Sequence, residues 1–490
     1  MKRIAIIAGI ILSVVVAFFG TVKWNVYSQQ PEVLLQKLRA GKGDQQDLWM
    51  RFNLARGDTV TPMLEALADR SAPAEFRAEL IELLARRFSA SGRQDEIIAA
   101  ITAGLADEDP VIRRRAVFCV SVYLDSAHQP DVFEMVADPD LEVRRGVYGI
   151  LVGTGNARWR RGDRNVINDE LWKKMTLEQR QTLVQRCQEQ AAKETDEDLR
   201  MLALSVVGRE IEFLCTQSIE ADSRGQIDQA EQLLDQALAI DPASHQARIR
   251  LVRHHLAIGR KEEALALAEE NGALLRIPRL AAEPRIDGDP SDEAWNSAFR
   301  YEGHPFYHAT SRFVARQVTG KTDFYIGHRD GKLYLAIIGH EDDLDELVIK
   351  CTRRDSPVWQ DDSVEIFFDP ALQETKAHQF VINAAGALAD LNMGSGWISH
   401  NYACQYAGKV FEDRGYWACE FAIPADELDK AKITADAVWG LNIMRARIGP
   451  ASEQCAWWPT YGFSHRYHLY PIAIFEDAEP TSTSAPAGSP

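Results

Sequence analysis

Apolar residues follow two different rhythms along this chain. From about residue 31 to 275 they recur at helical spacing, and from about 276 onward they alternate with polar residues. The helical part repeats itself. Ala106-Asp107-Glu108-Asp109-Pro110-Val111-Ile112-Arg113-Arg114 returns 31 residues later as Ala137-Asp138-Pro139-Asp140-Leu141-Glu142-Val143-Arg144-Arg145. Asp109 and Asp140 stand where a side-chain oxygen can accept the first free amides of a helix, and Pro110 where a missing N–H costs least. An apolar run follows each: Ala116, Val117, Val120, then Val147, Ile150, Leu151. A looser copy runs from Ala68-Asp69 through Phe76-Arg77 to Leu84. A second period brings Gly225, Ala230 and Leu233 back 34 residues later as Gly259, Ala264 and Leu267, with Ala237 and Pro242 between them. Small residues at that spacing let two antiparallel helices approach closely.

The alternating part predicts short strands at 322–328 and 332–338, flanking the turn pair Asp330-Gly331, and further strands at 363–368, 379–383, 417–423 and 438–445. In 417–423 the odd positions pack one face while Glu420 points away. Short strands set apart by Gly, Pro and Asp clusters predict a sandwich rather than a parallel sheet.

A third texture is confined to the start. Lys2 and Arg3 precede an uncharged apolar run from Ile4 to Val22, followed by Lys23-Trp24 and Tyr27. As a helix this run spans about 28 Å, close to the hydrocarbon thickness of a bilayer. It predicts an uncleaved transmembrane anchor; a signal peptide cleaved after Val15-Val16-Ala17 is the alternative. With the positive charges before the apolar run, both place the bulk of the chain outside the cytoplasm, on the periplasmic or extracytoplasmic side. The expected organisation is therefore an anchor at 1–30, helical repeats at 31–160 and 161–275, an all-β sandwich at 276–478 and a Ser/Thr/Pro/Ala-rich tail at 479–490. Gly153 to Asp169 reads as a solvated basic loop between repeats.

Charge and cysteines narrow the classes. A formal net charge of -17 argues against nucleic acid as partner. The seven cysteines contain no C-x-x-C pair, which excludes a zinc ribbon and a thioredoxin-like motif. Four of them lie in the last 140 residues, where disulfides and buried free thiols both remain open. There is no G-x-S-x-G, H-E-x-x-H or G-x-x-x-x-G-K-[ST], so no enzyme is expected.

Seven of the eleven tryptophans (295, 359, 397, 417, 439, 457, 458) fall in the alternating region. Trp295, Trp417 and Trp439 are flanked by apolar strand residues and are expected in the core. Trp359, after Ser356-Pro357, and Trp457-Trp458, before Pro459, lie in loops and are the candidates for exposure. Sugar rings carry apolar C–H faces and an equator of hydroxyls, so exposed indoles flanked by carboxylates, amides and guanidinium groups suit them.

Three resemblances sharpen this. The 31-residue repeat resembles the HEAT family of helical hairpins, and the 34-residue period resembles a tetratricopeptide repeat. Both imply a scaffold or a surface for a protein partner. Ile286-Asp287-Gly288-Asp289 with Glu293-Ala294-Trp295, and Trp359-Gln360-Asp361-Asp362-Ser363-Val364-Glu365-Ile366-Phe367, resemble blocks of the family 9 carbohydrate-binding modules. Gln379-Phe380-Val381-Ile382-Asn383, Glu420 with Ile423-Pro424, Trp439-Gly440-Leu441-Asn442 and Trp457-Trp458-Pro459 follow in that family's order, over about residues 280–477. The resemblance implies a non-catalytic, sugar-binding β-sandwich, with structural calcium in some members and a place in polysaccharide recognition or catabolism. It assigns Trp359 and one of Trp457 or Trp458 as two facing plates, with Glu365, Asn442 and Arg445 as polar ligands. Val381 and Met444 depart from the family pattern, which has Arg and Gln at those places.

The acidic stretch from His340 to Glu346 suggests oxygen ligands for calcium, with Asp342 and Asp343 as candidates. Two competing functions stand beside sugar binding. One is a protein-interaction scaffold whose sandwich has lost its ligand. The other is a haem module using Met444 or Met393 with a histidine, although no C-x-x-C-H is present.

Overall fold

The structure, a computed structural model, describes residues 30–55, 58–89, 91–124, 129–152, 172–393, 398–450 and 452–477. The expected anchor, the basic loop at 153–169, Trp397 and the C-terminal tail from residue 479 lie outside them. Among the described residues no helix is long and apolar enough to cross a membrane. The chain divides into two compact units, 1–206 and 207–490.

The first unit is built of helices α1 (Pro31–Arg39), α2 (Gln45–Leu54), α3 (Val60–Ala68), α4 (Ala74–Arg86), α5 (Gln94–Leu105), α6 (Pro110–Tyr123), α7 (Leu141–Val152) and α8 (Leu177–Lys193). The repeated acids cap as their positions predict: Asp109 accepts the amide of Val111, and Asp140 those of Glu142 and Val143. The other half of the repeat makes a ladder. Arg39 pairs with Asp69 at 2.6 Å, and Arg77 forks onto Asp107 with both bonds at 3.1 Å. Arg113 forks onto Asp138 at 2.8 and 2.9 Å, and Arg144 reaches Glu194 at 2.8 Å. Each acid also accepts the amide two residues further on, at Ser71, Asp109, Asp140 and Asp196. The Val-Arg dipeptide of the repeat thus packs its apolar member inward, as with buried Val143, while its arginine ties that helix to the loop ahead of the next. Fork-to-carboxylate geometry with both partners shielded is the strongest form of such a pair.

The second unit begins within α9 (Glu197–Ser223) and continues through α10 (Ile227–Ile240), α11 (His245–Ala257) and α12 (Lys261–Glu270). Gly225 and Gly259 take positive φ, +72° and +81°, where α9 and α11 turn back, so the 34-residue period marks equivalent corners. Ala230, Ala237 and Ala264 are buried between the helices.

A sandwich follows. One sheet orders its strands β1 (Leu274–Pro278), β14 (Ile472–Glu476), β12 (Val438–Arg447), β6 (Ser363–Asp369), β7 (His378–Asn383), β8 (Leu388–Asn392) and β9 (Ile398–Ser399). Short β13 (Glu453–Ala456) pairs with β12, and β3 (Tyr307–His308) with β13. The other sheet runs β10 (Gln405–Phe411), β11 (Tyr416–Pro424), β5 (Lys332–His340), β4 (Thr322–Arg329) and β2 (Phe299–Tyr301). Asp330 and Gly331 both have positive φ, 49° and 77°, the requirement of a two-residue hairpin turn between β4 and β5. Ile366, Phe380, Ile443, Trp417 and Phe421 fill the space between the sheets. Trp295, Trp417 and Trp439 are buried. Glu420 does face away from that core, yet it is buried too. It accepts the Trp295 indole N–H at 2.8 Å and the amides of Asp287 and Gly288, so the segment before β2 folds over it. All seven cysteines are free thiols, six of them buried.

Candidate ligand-binding site

Strand register decides which side chains face outward from the first sheet. Paired residues share a face, and successive residues alternate. Glu365 pairs with Val381 and Met444, and Val381 with Ala389. Gln379 pairs with Phe367 and Leu391. Since Ile366, Phe380 and Ile443 point into the core, these two rows cover the outer face. Above them lies a cleft of about 300 Å³, floored by Met444, Leu391, Ala446 and Ala309 and lined by Trp359, Glu365, Gln379, Phe463, Ser464 and His465.

Trp359 is presented by a single 3₁₀ turn, residues 358–360. Its neighbour Val358 is wholly buried against Val381, Cys351 and Ala389, which anchors the turn and leaves the indole 42% exposed. Val381, where the family pattern has Arg, is therefore covered by Val358 and contributes packing. The two acids after Trp359 fix the same corner. Asp361 accepts the amide of Cys351 at 2.7 Å and the Asn383 side chain at 2.9 Å. Asp362 accepts the amides of Val348 and Ile448.

The second plate is not where the sequence places it. Trp457 and Trp458 are 6% and 5% exposed. Trp457 points into the inter-sheet core, edge-on to Phe324 with ring centres 5.5 Å apart. Trp458 turns to the opposite face and packs with Ile249, Val252 and Tyr461. Alternation along an extended backbone sends adjacent indoles to opposite sides, and both sides here are covered. The aromatic that does reach the cleft is Phe463, 56% exposed. Buried Tyr461 holds the loop down, and Gly462, at φ +100° with its amide donating to Ala309, turns Phe463 outward. A large apolar side chain between a glycine and Ser464-His465, matched by no periodic partner, is the signal that marks it in the sequence.

The polar contents of the cleft form a chain. Gln379 donates Nε2–H to Glu365 at 2.7 Å, and its Oε1 lies 3.4 Å from His465 Nε2. His465 Nδ1 is 3.0 Å from the Ser464 hydroxyl. Burial pushes the Glu365 carboxyl up to about 7, against the opposing pull of the Gln379 bond. By surface area Glu365 is only half-buried, open to the cleft, so water relieves part of that push. Burial also lowers His465 to about 4, leaving it neutral near pH 7.

Two expected ligands are engaged elsewhere. Asn442 is buried; it donates to the Trp458 carbonyl and accepts the Trp458 amide, pinning the loop backbone. The Arg445 guanidinium points to the inner face, where it pairs with Glu341 and donates to the carbonyls of Lys321 and His340. The acidic stretch forms no cation cage. Asp343 accepts the amide of Asp345, and Glu341 is taken by Arg445 and Arg447. Among the described residues no group of three or more His, Cys, Asp or Glu side chains that could hold a metal ion comes together.

A shallower polar hollow of about 560 Å³ adjoins the cleft through shared Thr310 and Gln454, and adds His308, Ser311, Arg316, Ser452 and Glu453.

Residues 223–270 match the family model of the tetratricopeptide repeat. No curated protein matches the chain. Solved structures similar to this chain include family 9 carbohydrate-binding modules from Caldicellulosiruptor kristjanssonii. The one in complex with cellotriose is 14% identical over 43% of this chain and 98% of its own, with a TM-score of 0.32. The one in complex with glucose is 16% identical over 43% and 100%, with a TM-score of 0.31.

Proposed function

We propose that the outer-face cleft of the sandwich binds a pyranose ring and performs no chemistry on it. One observation carries this reading: among the described residues, Trp359 and Phe463 are the only Trp, Tyr or Phe side chains that stand exposed, and both line this cleft. Leaving two such rings in water loses burial that the other described Trp, Tyr and Phe side chains gain at least in part, a loss a ligand recovers. Between them, Glu365, Gln379, His465 and Ser464 offer acceptors and donors at the height of a sugar's hydroxyls. Glu365 stands alone as a carboxylate among the described lining residues, which supports recognition over the two-carboxylate chemistry of glycoside cleavage. The adjoining polar hollow extends the site to a second ring, so an oligosaccharide is the ligand class.

In this reading the chain is anchored through residues 4–22 and displays the cleft outside the cytoplasm, serving polysaccharide recognition or catabolism, with the repeats free to take a protein partner. The charge order at the N-terminus supports the orientation. Isothermal titration of the protein with neutral oligosaccharides of two to four pyranose units tests the function. Heat that disappears in Trp359→Ala is expected. Absence of heat across glucans, xylans, mannans and chitin fragments would overturn it. A Soret band in the purified protein would assign Met444 and His465 to a porphyrin instead.

A further inference from the structure

We infer that helix α11 and the residues of α9 from 207 onward hold the outer wall of the cleft in place, with Arg253 and Arg466 as positioning residues for the ligand. This rests on the sugar-binding reading for its functional consequence but not for its geometry.

The wall is the segment from Trp458 to Tyr470, which carries Phe463, Ser464 and His465. Its far side faces the helices. Arg253 of α11 is buried and donates to the Tyr470 carbonyl at 2.8 Å and the Tyr467 carbonyl at 3.3 Å. Two strands of the sheet make room for it. A Cβ at Gly440 would lie 2.7 Å from its guanidinium, and Asp369 stands 3.9 Å away. Arg466 reaches back to Glu212 of α9 at 2.8 Å while donating to the Tyr461 carbonyl at 3.2 Å. Tyr461 and Trp458 share one apolar cluster with Ile249 and Val252 of α11. The Tyr470 hydroxyl donates to the Ser464 carbonyl at 2.8 Å. The segment is thus pinned at 458, 461, 464, 467 and 470; Phe463 and His465 sit between pins, and Ser464 is held through its carbonyl. Helix and sheet are also joined without slack. Three residues separate α12 from β1, and Ala273 both donates to Ala268 and accepts from Ile472. The repeat helices therefore form the back of the binding loop.

Full-length Arg253→Gln and Arg466→Gln variants test this, read by amide hydrogen exchange over residues 459–466 and by titration with cellotriose. The expected result is faster exchange confined to that segment and affinity weakened about tenfold, the effect of losing one charge-assisted hydrogen bond. Arg253→Lys should recover part of both. Wild-type protection and affinity within twofold in both variants would overturn the inference. If Arg253→Gln unfolds globally, the less buried Arg466→Gln decides by the same readouts. Loosening of 459–466 in a protein whose wild type ignores cellotriose and every other sugar would uphold the clamp and remove the sugar reading.

Discussion

The ladder acids of the helical unit and Glu365 of the sandwich are treated in opposite ways. In the helical unit every acid of the ladder meets an arginine and a backbone amide. Burial pushes Asp107 upward, but the Asp109 amide with the Arg77 and Arg70 guanidiniums outweigh it and hold the carboxyl below its usual range. The same balance, with Arg144 and the Asp196 amide, lowers Glu194. In the cleft, Glu365 receives one neutral amide and is held up near 7. A fully satisfied acid has nothing left to offer a ligand. One that is short of donors gains them when hydroxyls arrive, and that deficit separates a binding group from a structural one.

The comparison breaks most visibly at Arg77. Arg77→Met removes the forked partner of Asp107, leaving it Arg70 and the Asp109 amide, and should cost the first unit about 1–3 kcal/mol in denaturant unfolding, leaving the cleft's titration unchanged. Next come the plates: Trp359→Ala and Phe463→Ala should each weaken oligosaccharide binding by about 1–3 kcal/mol without lowering the melting temperature. Trp457→Ala should do the reverse, lowering stability first, because its indole fills the core. Smaller again is Glu365→Gln. A hydroxyl donor favours the charged carboxylate, so binding near pH 7 should release protons, measurable by titrating in buffers of different ionisation enthalpy; the variant abolishes the release.

The smallest effect is the opposed pH dependence of these groups. For Asp107 and Glu194 the folded pKa is depressed, so their stabilisation is present above the ordinary carboxylate range and lost as pH falls through the folded value. For Glu365 it is raised, so its carboxyl favours the fold below about 4.5 and loses that advantage as pH climbs to about 7. Unfolding compared between wild type and variants from pH 3 to 8 should show that Asp107→Asn removes a loss that appears on acidification, whereas Glu365→Gln removes a loss that appears as pH rises toward about 7.

Much of this was legible along the chain. Six strands, the Asp330-Gly331 hairpin, the caps at Asp109 and Asp140 and the exposed Trp359 follow from periodicity and turn chemistry, which are local. The short strands β2, β3 and β9 carry too few residues to show an alternation, and β8 contains no aromatic or β-branched residue. The partner of Trp359 was misplaced because the Trp457-Trp458 pair sits where exposure and burial look alike in one dimension. Likewise Arg445 carries a hydrogen-bonding side chain one position out of phase, and a single step along a strand sends a guanidinium through to the other face.

What the sequence determined by itself is whatever depends on neighbours a few residues apart: two rhythms, two repeat lengths, the corners and the caps. What only the tertiary structure decided is which groups from distant segments meet. It brought Phe463 and Trp359 to one cleft, set Gln379 on Glu365, spent Asn442 and Arg445 on the frame, and laid α11 behind the binding loop. Those choices come from sheet register and from the competition for buried space, and both are settled between segments of the chain rather than within one.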